Sequence, residues 1–274
     1  MTTSETVSEA VATNSLGGQL AIITGAAKGL GAAISRDLAR QGADVVLLGR
    51  DEGALQRHAD AIDLEYGHRS SLVMAVDVVE EQQVADMVQR VSQNFGRIDI
   101  LVNGAGGTGP IETPAQDVPV DGFRSILDLN VIGTFLPCKY VIPQMIEKRS
   151  GRIVNIAGTS GLRGYKNRVG YSSSKWAVRG LTRTLALELG PYGITANTVC
   201  PNVTHGDRMT TIVNEKARKL GVSPEEVYKD FAATTALGRF IDDVDVAAAV
   251  SFLVSEGARN VTGHDIVVDA GWDV

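Results

Sequence analysis

The chain has 274 residues, 44% of them hydrophobic, and its 26 basic against 32 acidic side chains leave a net charge of −6. That length suits one large α/β domain with a buried core, and the acidic balance, without basic tracts or zinc spacing, argues against a nucleic-acid surface. Two cysteines, Cys138 and Cys200, both in apolar surroundings, are too few for a disulfide framework, and the four histidines show no metal-ligand spacing.

Met1–Gly18 is rich in Thr, Ser, Glu and Ala and has neither the basic nor the apolar segment of a secretory signal, so it reads as a flexible tail on a cytoplasmic protein. From Gln19 onward, short apolar runs alternate with longer helix-period segments. The predicted strands are Leu20–Thr24, Asp44–Leu48, Leu72–Val76, Ile98–Asn103, Arg152–Ile156, Thr195–Cys200 and Asp265–Val268. Most are continuous Val, Ile and Leu, the pattern of parallel strands covered on both faces. The helix pattern is plainest in Leu30–Gln41, in Glu81–Phe95 with Val84, Val88 and Val91, and in Tyr171–Leu189 with Val178, Leu181, Leu185 and Leu189. Alternation of this kind predicts an α/β fold, a doubly wound parallel sheet of about seven strands in a single domain, 19–274. No uninterrupted apolar run reaches the roughly 18 residues that span a bilayer. The rhythm breaks once, over about 201–240. That polar and helical insertion follows the sixth strand, at the carboxyl edge where ligands bind in such sheets, and reads as a substrate lid with Met209, Ile212 and Val213 on its inner face.

Two constellations carry chemistry. Between the first strand and its helix stands Thr24-Gly25-Ala26-Ala27-Lys28-Gly29-Leu30-Gly31. Glycine serves a tight strand-to-helix reversal, and it lets a pyrophosphate approach the backbone at the positive end of the helix dipole. Far downstream, Tyr171 and Lys175 stand one helical turn apart on one face. A free phenol ionises near pH ~10 and is a poor base at neutral pH, but a neighbouring ammonium stabilises the phenolate. Tyr171 can then exchange a proton with an alcohol oxygen while a nicotinamide exchanges hydride with the carbon.

The spacing Gly-x-x-x-Gly-x-Gly with Tyr171-x-x-x-Lys175 resembles the short-chain dehydrogenase/reductase family in its single-domain, Rossmann-type form. The resemblance runs from Gln19 to Val274. It includes Asn103-Gly104-Ala105-Gly106, Asn130 in Leu129-Asn130-Val131, and the ending Thr262-Gly263 with Val268-Asp269-Ala270-Gly271. It implies an oxidoreductase acting on a secondary alcohol or ketone, with Asn130 linking Lys175 to a proton relay and Lys175 also gripping the nicotinamide ribose. The implied cofactor contacts are Thr24, Gly25, Lys28, Gly29, Leu30, Gly31, Asp77, Val78, Asn103, Ala105, Gly106, Tyr171, Lys175, Pro201 and Val203. It further implies a homodimer or homotetramer built on the helices around Asn130–Met145 and after Tyr171.

Four features depart from the family pattern or leave a choice open. The second strand ends in Gly49-Arg50-Asp51, where NAD-dependent members place an acid for the ribose hydroxyls. Arg50, with Lys28, favours the 2′-phosphate of NADP, while Asp51 serving NAD is the alternative. The family usually has a Ser thirteen residues before the Tyr, and 171 − 13 = 158 is glycine here. Either Thr159 or Ser160 supplies that hydroxyl, or the protein is a cofactor-binding paralogue with altered or lost catalysis. From Ser150 to Leu187 there is no acid, but Arg163 and Arg168 precede Tyr171. They read either as a site for an anionic substrate or as a solvated basic loop. Asn202 follows Pro201 where the family usually has Gly, Thr204 and His205 lie near the same edge, and Trp272 closes the chain as a site residue or as interface packing.

Overall fold

The computed structural model describes residues 14–66, 71–272 and 274. Seven parallel strands form one sheet in the order β3-β2-β1-β4-β5-β6-β7: β1 Leu20–Thr24, β2 Asp44–Gly49, β3 Ser71–Ala75, β4 Ile100–Asn103, β5 Gly151–Ile156, β6 Ile194–Pro201 and β7 Asp265–Val268. Every predicted strand is present, within two residues at each end. The register runs Ile22↔Val46 to β2 and Ile22↔Leu101 to β4. The chain winds outward from β1 to β3 and returns to place β4 beside β1. The strand order reverses at that pair, so a cleft opens beyond its carboxyl ends.

The helices are α1 Gly29–Arg40, α2 Glu52–Tyr66, α3 Glu81–Phe95, α4 Val120–Leu127, α5 Gly133–Lys148, α6 Val169–Leu189, α7 Asp207–Leu220, α8 Pro224–Ala233 and α9 Asp243–Val254. Their apolar stripes divide the core into two layers. Ile34, Leu38, Leu55, Ile62, Val246 and Val250 of α1, α2 and α9 cover one face. Val84, Val88, Val141, Met145, Leu185 and Leu189 of α3, α5 and α6 cover the other. The run Val120–Lys148 is by length and composition apolar enough to cross a membrane. In the fold its Leu136, Cys138, Val141 and Met145 are buried against the sheet, as expected of a core helix. Both cysteines are free and buried, and burial pushes the Cys138 thiol up to about 12.

One expectation is corrected. The tail does not extend to Gly18: Leu16 is buried in the core, and its N–H donates to Gln41 O. Residues 1–13 of that expected tail lie outside the described residues. The expected helical insertion over 201–240 holds two helices, α7 and α8, with an apolar cluster of its own: Val203, Met209, Val213, Ala217, Val227, Phe231 and Phe240. A Ser223–Glu226 capping box starts α8. Lys219 Nζ donates to Glu112 O at 3.1 Å, and Lys216 lies 3.8 Å from the Glu112 carboxylate, so this unit docks on the loop beyond β4.

Candidate active site

The glycine turn closes the cleft from below. Gly25 has φ +72 and Gly29 φ +55, a backbone region that L side chains rarely adopt. A Cβ on Gly31 would collide with the Gly25 carbonyl, and one on Gly25 would lie 2.8 Å from Ala105 N. The turn therefore packs directly on the loop after β4. Thr24 fixes that contact: its buried hydroxyl accepts from Gly104 N and Ala105 N, each at 3.1 Å. The N-terminus of α1 has no side-chain cap and no acid in its first turn. Its free N–H groups and positive dipole end suit a pyrophosphate, so the residues present fit a dinucleotide. Lys28, inside this turn, and Arg50, directly after β2, are both exposed. The Asp51 carboxylate accepts from Ala54 N at 2.9 Å and thereby caps α2.

Not every residue of the expected cofactor set turns its side chain to the cleft. Asn103 stands on the face of the sheet that α5 covers, where its Nδ2 donates to Asn155 Oδ1 at 2.8 Å and to Cys138 Sγ at 3.3 Å. The Asp77 carboxylate accepts from Val79 N at 3.3 Å, and Val78 is buried with its side chain against Gly133.

Tyr171 and Lys175 stand in the first two turns of α6. Lys175 is only 5% exposed; its Nζ donates to Ile156 O at 2.9 Å and lies 5.7 Å from the Tyr171 ring centroid. Burial, with the Arg208 guanidinium second, pushes the Lys175 ammonium down to about 7. Asn130 sits in a π-helical turn, Asp128–Ile132, between α4 and α5. Such bulges insert a residue and re-aim a side chain, often at functional sites. The Asn130 amide donates to Ser174 Oγ at 2.9 Å and accepts from Gly107 N at 2.8 Å. A Cβ on Gly106 would lie 2.9 Å from Asn130 Oδ1 and 3.8 Å from Lys175 Nζ, so all three converge on the same loop.

The phenol faces position 158. A Cβ built on Gly158 would lie 3.6 Å from Tyr171 Oη and 3.6 Å from Pro201 O. Residue 158 is thus where a side chain would meet the phenol, but its φ of +121 strains any L side chain. Thr159 and Ser160 are buried in the following 3₁₀ turn, and both line a cavity of about 90 Å³ with Tyr165, Arg168, Tyr171, Asn202, Met209 and Ile212. Thr159 Oγ1 donates to Asn202 Oδ1 at 3.1 Å.

The basic stretch divides by partner. Arg179 and Arg183 pair with Asp265 at 2.7 and 2.6 Å, and Arg152 lies 3.7 Å from Glu256. Arg163 covers the Trp272 ring at 3.6 Å, so Trp272 packs on the loop before α6. Arg168 is different. It is 4% exposed, lies 4.8 Å from the Tyr171 ring centroid, and donates from Nη2 to Thr108 O, with no ion pair among the described residues. His205 turns away from the cavity to Tyr228, 2.9 Å from Nδ1, and to the Phe240 ring. Sequence reasoning missed Arg208, whose Nη2 donates to Gly106 O at 2.7 Å from α7. It also missed the Thr159–Asn202 bond. Among the described residues no group of three His, Cys, Asp or Glu is placed to hold a metal ion.

A doubly wound sheet with a glycine cradle at its switch point and a Tyr–Lys pair above it defines a dinucleotide-dependent oxidoreductase. Comparison with known proteins agrees. The family model described as enoyl-(acyl carrier protein) reductase matches residues 25–273. L-fucose dehydrogenase of Oryctolagus cuniculus is 35% identical over 254 residues, 93% of this chain and 84% of that protein. The solved structure of NAD⁺-bound xylitol dehydrogenase superposes with a TM-score of 0.89 at 32% identity, covering 93% of this chain and 99% of that one. Actinorhodin polyketide ketoreductase with NADPH gives 0.88 at 31% identity, covering 93% and 97%. The chain belongs to the short-chain dehydrogenase/reductase family of NAD(P)-dependent oxidoreductases.

Proposed function

We propose that the protein interconverts a secondary alcohol and a ketone, with Tyr171 as the acid/base. The observation that carries this reading is the phenol facing the cavity at Gly158, with the Lys175 side chain buried beside it. Tyr171 takes the hydroxyl proton of the alcohol in one direction and returns it to the oxygen in the other. Lys175 supplies the positive charge that favours the phenolate. Asn130 holds the Gly106–Gly107 loop and Ser174 in place around that pair. When bound, the nicotinamide supplies the hydride acceptor or donor. Thr24, Gly25, Gly29, Gly31, Ala105 and Gly106 form the cradle that would hold the dinucleotide, with Pro201 and Val203 flanking its nicotinamide end.

NADP is the favoured cofactor. Arg50 and Lys28 are exposed at the adenosine end, while Asp51, the residue that would serve an NAD ribose, is engaged as a helix cap. The substrate carries an anionic group. Arg168 is buried at the cavity and makes no ion pair among the described residues, the Glu112 carboxylate acting on it only from longer range, and a buried charge without a close partner is costly unless a ligand compensates it. Exposed Phe135 on α5 and Trp176 and Leu187 on α6 support pairing of two copies through these helices.

Gly158 sustains one other reading, a paralogue that binds the cofactor without turning over. A panel of neutral and acidic secondary alcohols and ketones with NADPH and NADH separates the two. Turnover of any member supports the enzyme. Cofactor fluorescence with no turnover on the whole panel overturns it.

A further inference from the structure

The cavity beside Tyr171 lacks a side chain at position 158 yet keeps an unused donor. Asn202 Nδ2 is buried and has no hydrogen-bond partner among the described residues. Its orientation is set from behind. Thr159 Oγ1 donates to Asn202 Oδ1 at 3.1 Å, so the carboxamide presents its oxygen to Thr159 and keeps both N–H bonds free. Asn202 lines the same cavity as Gly158 and Tyr171. It directly follows Pro201, whose carbonyl lies 3.6 Å from the place a residue-158 Cβ would occupy. A buried donor left without an acceptor is destabilising, and an arriving acceptor removes that penalty.

We infer that Asn202 Nδ2 donates a hydrogen bond to the reacting oxygen of the substrate, the part a hydroxyl on residue 158 would otherwise play. This rests on the reading of Tyr171 as acid/base. During reduction the carbonyl oxygen gains negative charge until Tyr171 protonates it. A preorganised N–H beside that oxygen acts most strongly at that moment. Thr159 is then a positioning residue, holding the amide by its far end. Among the described residues Arg168 Nε is the cavity's other unpartnered buried side-chain donor, and its charge suits a substituent of the substrate, leaving the neutral amide for the oxygen.

The test is a double-mutant cycle on Asn202→Ala and Thr159→Val, using the ketone of the panel that the wild type reduces fastest. Cofactor affinity is read by NADPH fluorescence, and Tyr171→Phe serves as control. Asn202→Ala should lower kcat by roughly 10²–10³ with the cofactor Kd unchanged. Thr159→Val should lose less, and the double variant should be no slower than Asn202→Ala alone, because both changes remove one interaction. Wild-type kcat in Asn202→Ala overturns the inference. Losses that multiply in the double variant also overturn it, since Thr159 would then donate on its own account. If Tyr171→Phe turns over at the wild-type rate, the acid/base reading falls and this assignment with it.

Discussion

Replacing Lys175 with Met should abolish turnover and make the fold more stable. The side chain is almost wholly buried, and burial together with Arg208 moves its ammonium from 10.5 to about 7. At about 1.36 kcal/mol for each pH unit, 10.5 − 7 amounts to roughly 5 kcal/mol spent below pH 7 on keeping that charge inside. Met fills nearly the same volume without charge, but it forfeits the bond to Ile156 O, worth about 1 kcal/mol. The expected net gain near pH 6.5 is therefore about 3–4 kcal/mol, within the range seen when buried charges give way to apolar groups. The sign with pH follows from proton binding. Between about pH 7 and 10.5 the unfolded chain holds the Lys175 proton and the folded chain releases it, so wild-type stability rises with pH through that window. The advantage of Lys175→Met should shrink by about 1.4 kcal/mol per pH unit above 7. Urea unfolding of both proteins at pH 6.5, 7.5 and 9 measures it. A variant less stable than wild type at pH 6.5, or a gap that does not narrow toward pH 9, would refute the reasoning.

Three further outcomes are expected. Arg50→Ala should lower kcat/KM with NADPH by about tenfold to a hundredfold, the worth of charge-assisted bonds to a phosphate, and leave NADH nearly untouched; equal effects on both cofactors would leave Arg50 a solvated surface residue. Arg168→Ala should cost a similar factor toward an oxo acid but little toward a neutral ketone, and parallel losses would assign Arg168 to holding the loop through Thr108 O. Light scattering should report a dimer or larger, and Trp176→Glu should weaken it; a wild-type monomer at micromolar concentration would end the pairing of α5 and α6.

The sheet was legible because buried parallel strands are nearly continuous in Val, Ile and Leu, as in Asp44–Gly49. α3 matched its prediction to the residue, since Val84, Val88 and Val91 form one stripe bounded by Gly96 in the left-handed region. Other elements were harder to read. α5 carries Pro137 and Pro143 inside the helix, and the π turn that re-aims Asn130 leaves no mark on apolar periodicity. At the site, the Gly25–Gly31 cradle and the Tyr171–Lys175 pair are local in sequence and were readable. Asp265 as partner of Arg179, 86 residues away, and Asn202 as partner of Thr159, 43 residues away, are products of tertiary packing. Asn103 shows what a motif leaves unread: strand alternation sets its amide on the face that α5 covers, beside Asn155.

The most direct trial of the account is Tyr171→Phe, which deletes one oxygen and leaves the ring under Arg168 in place. With NADPH affinity measured by fluorescence and turnover by absorbance, the account predicts unchanged binding and a kcat lower by about 10²–10⁴. A variant that binds the cofactor and reduces the same ketone at the wild-type rate would contradict it.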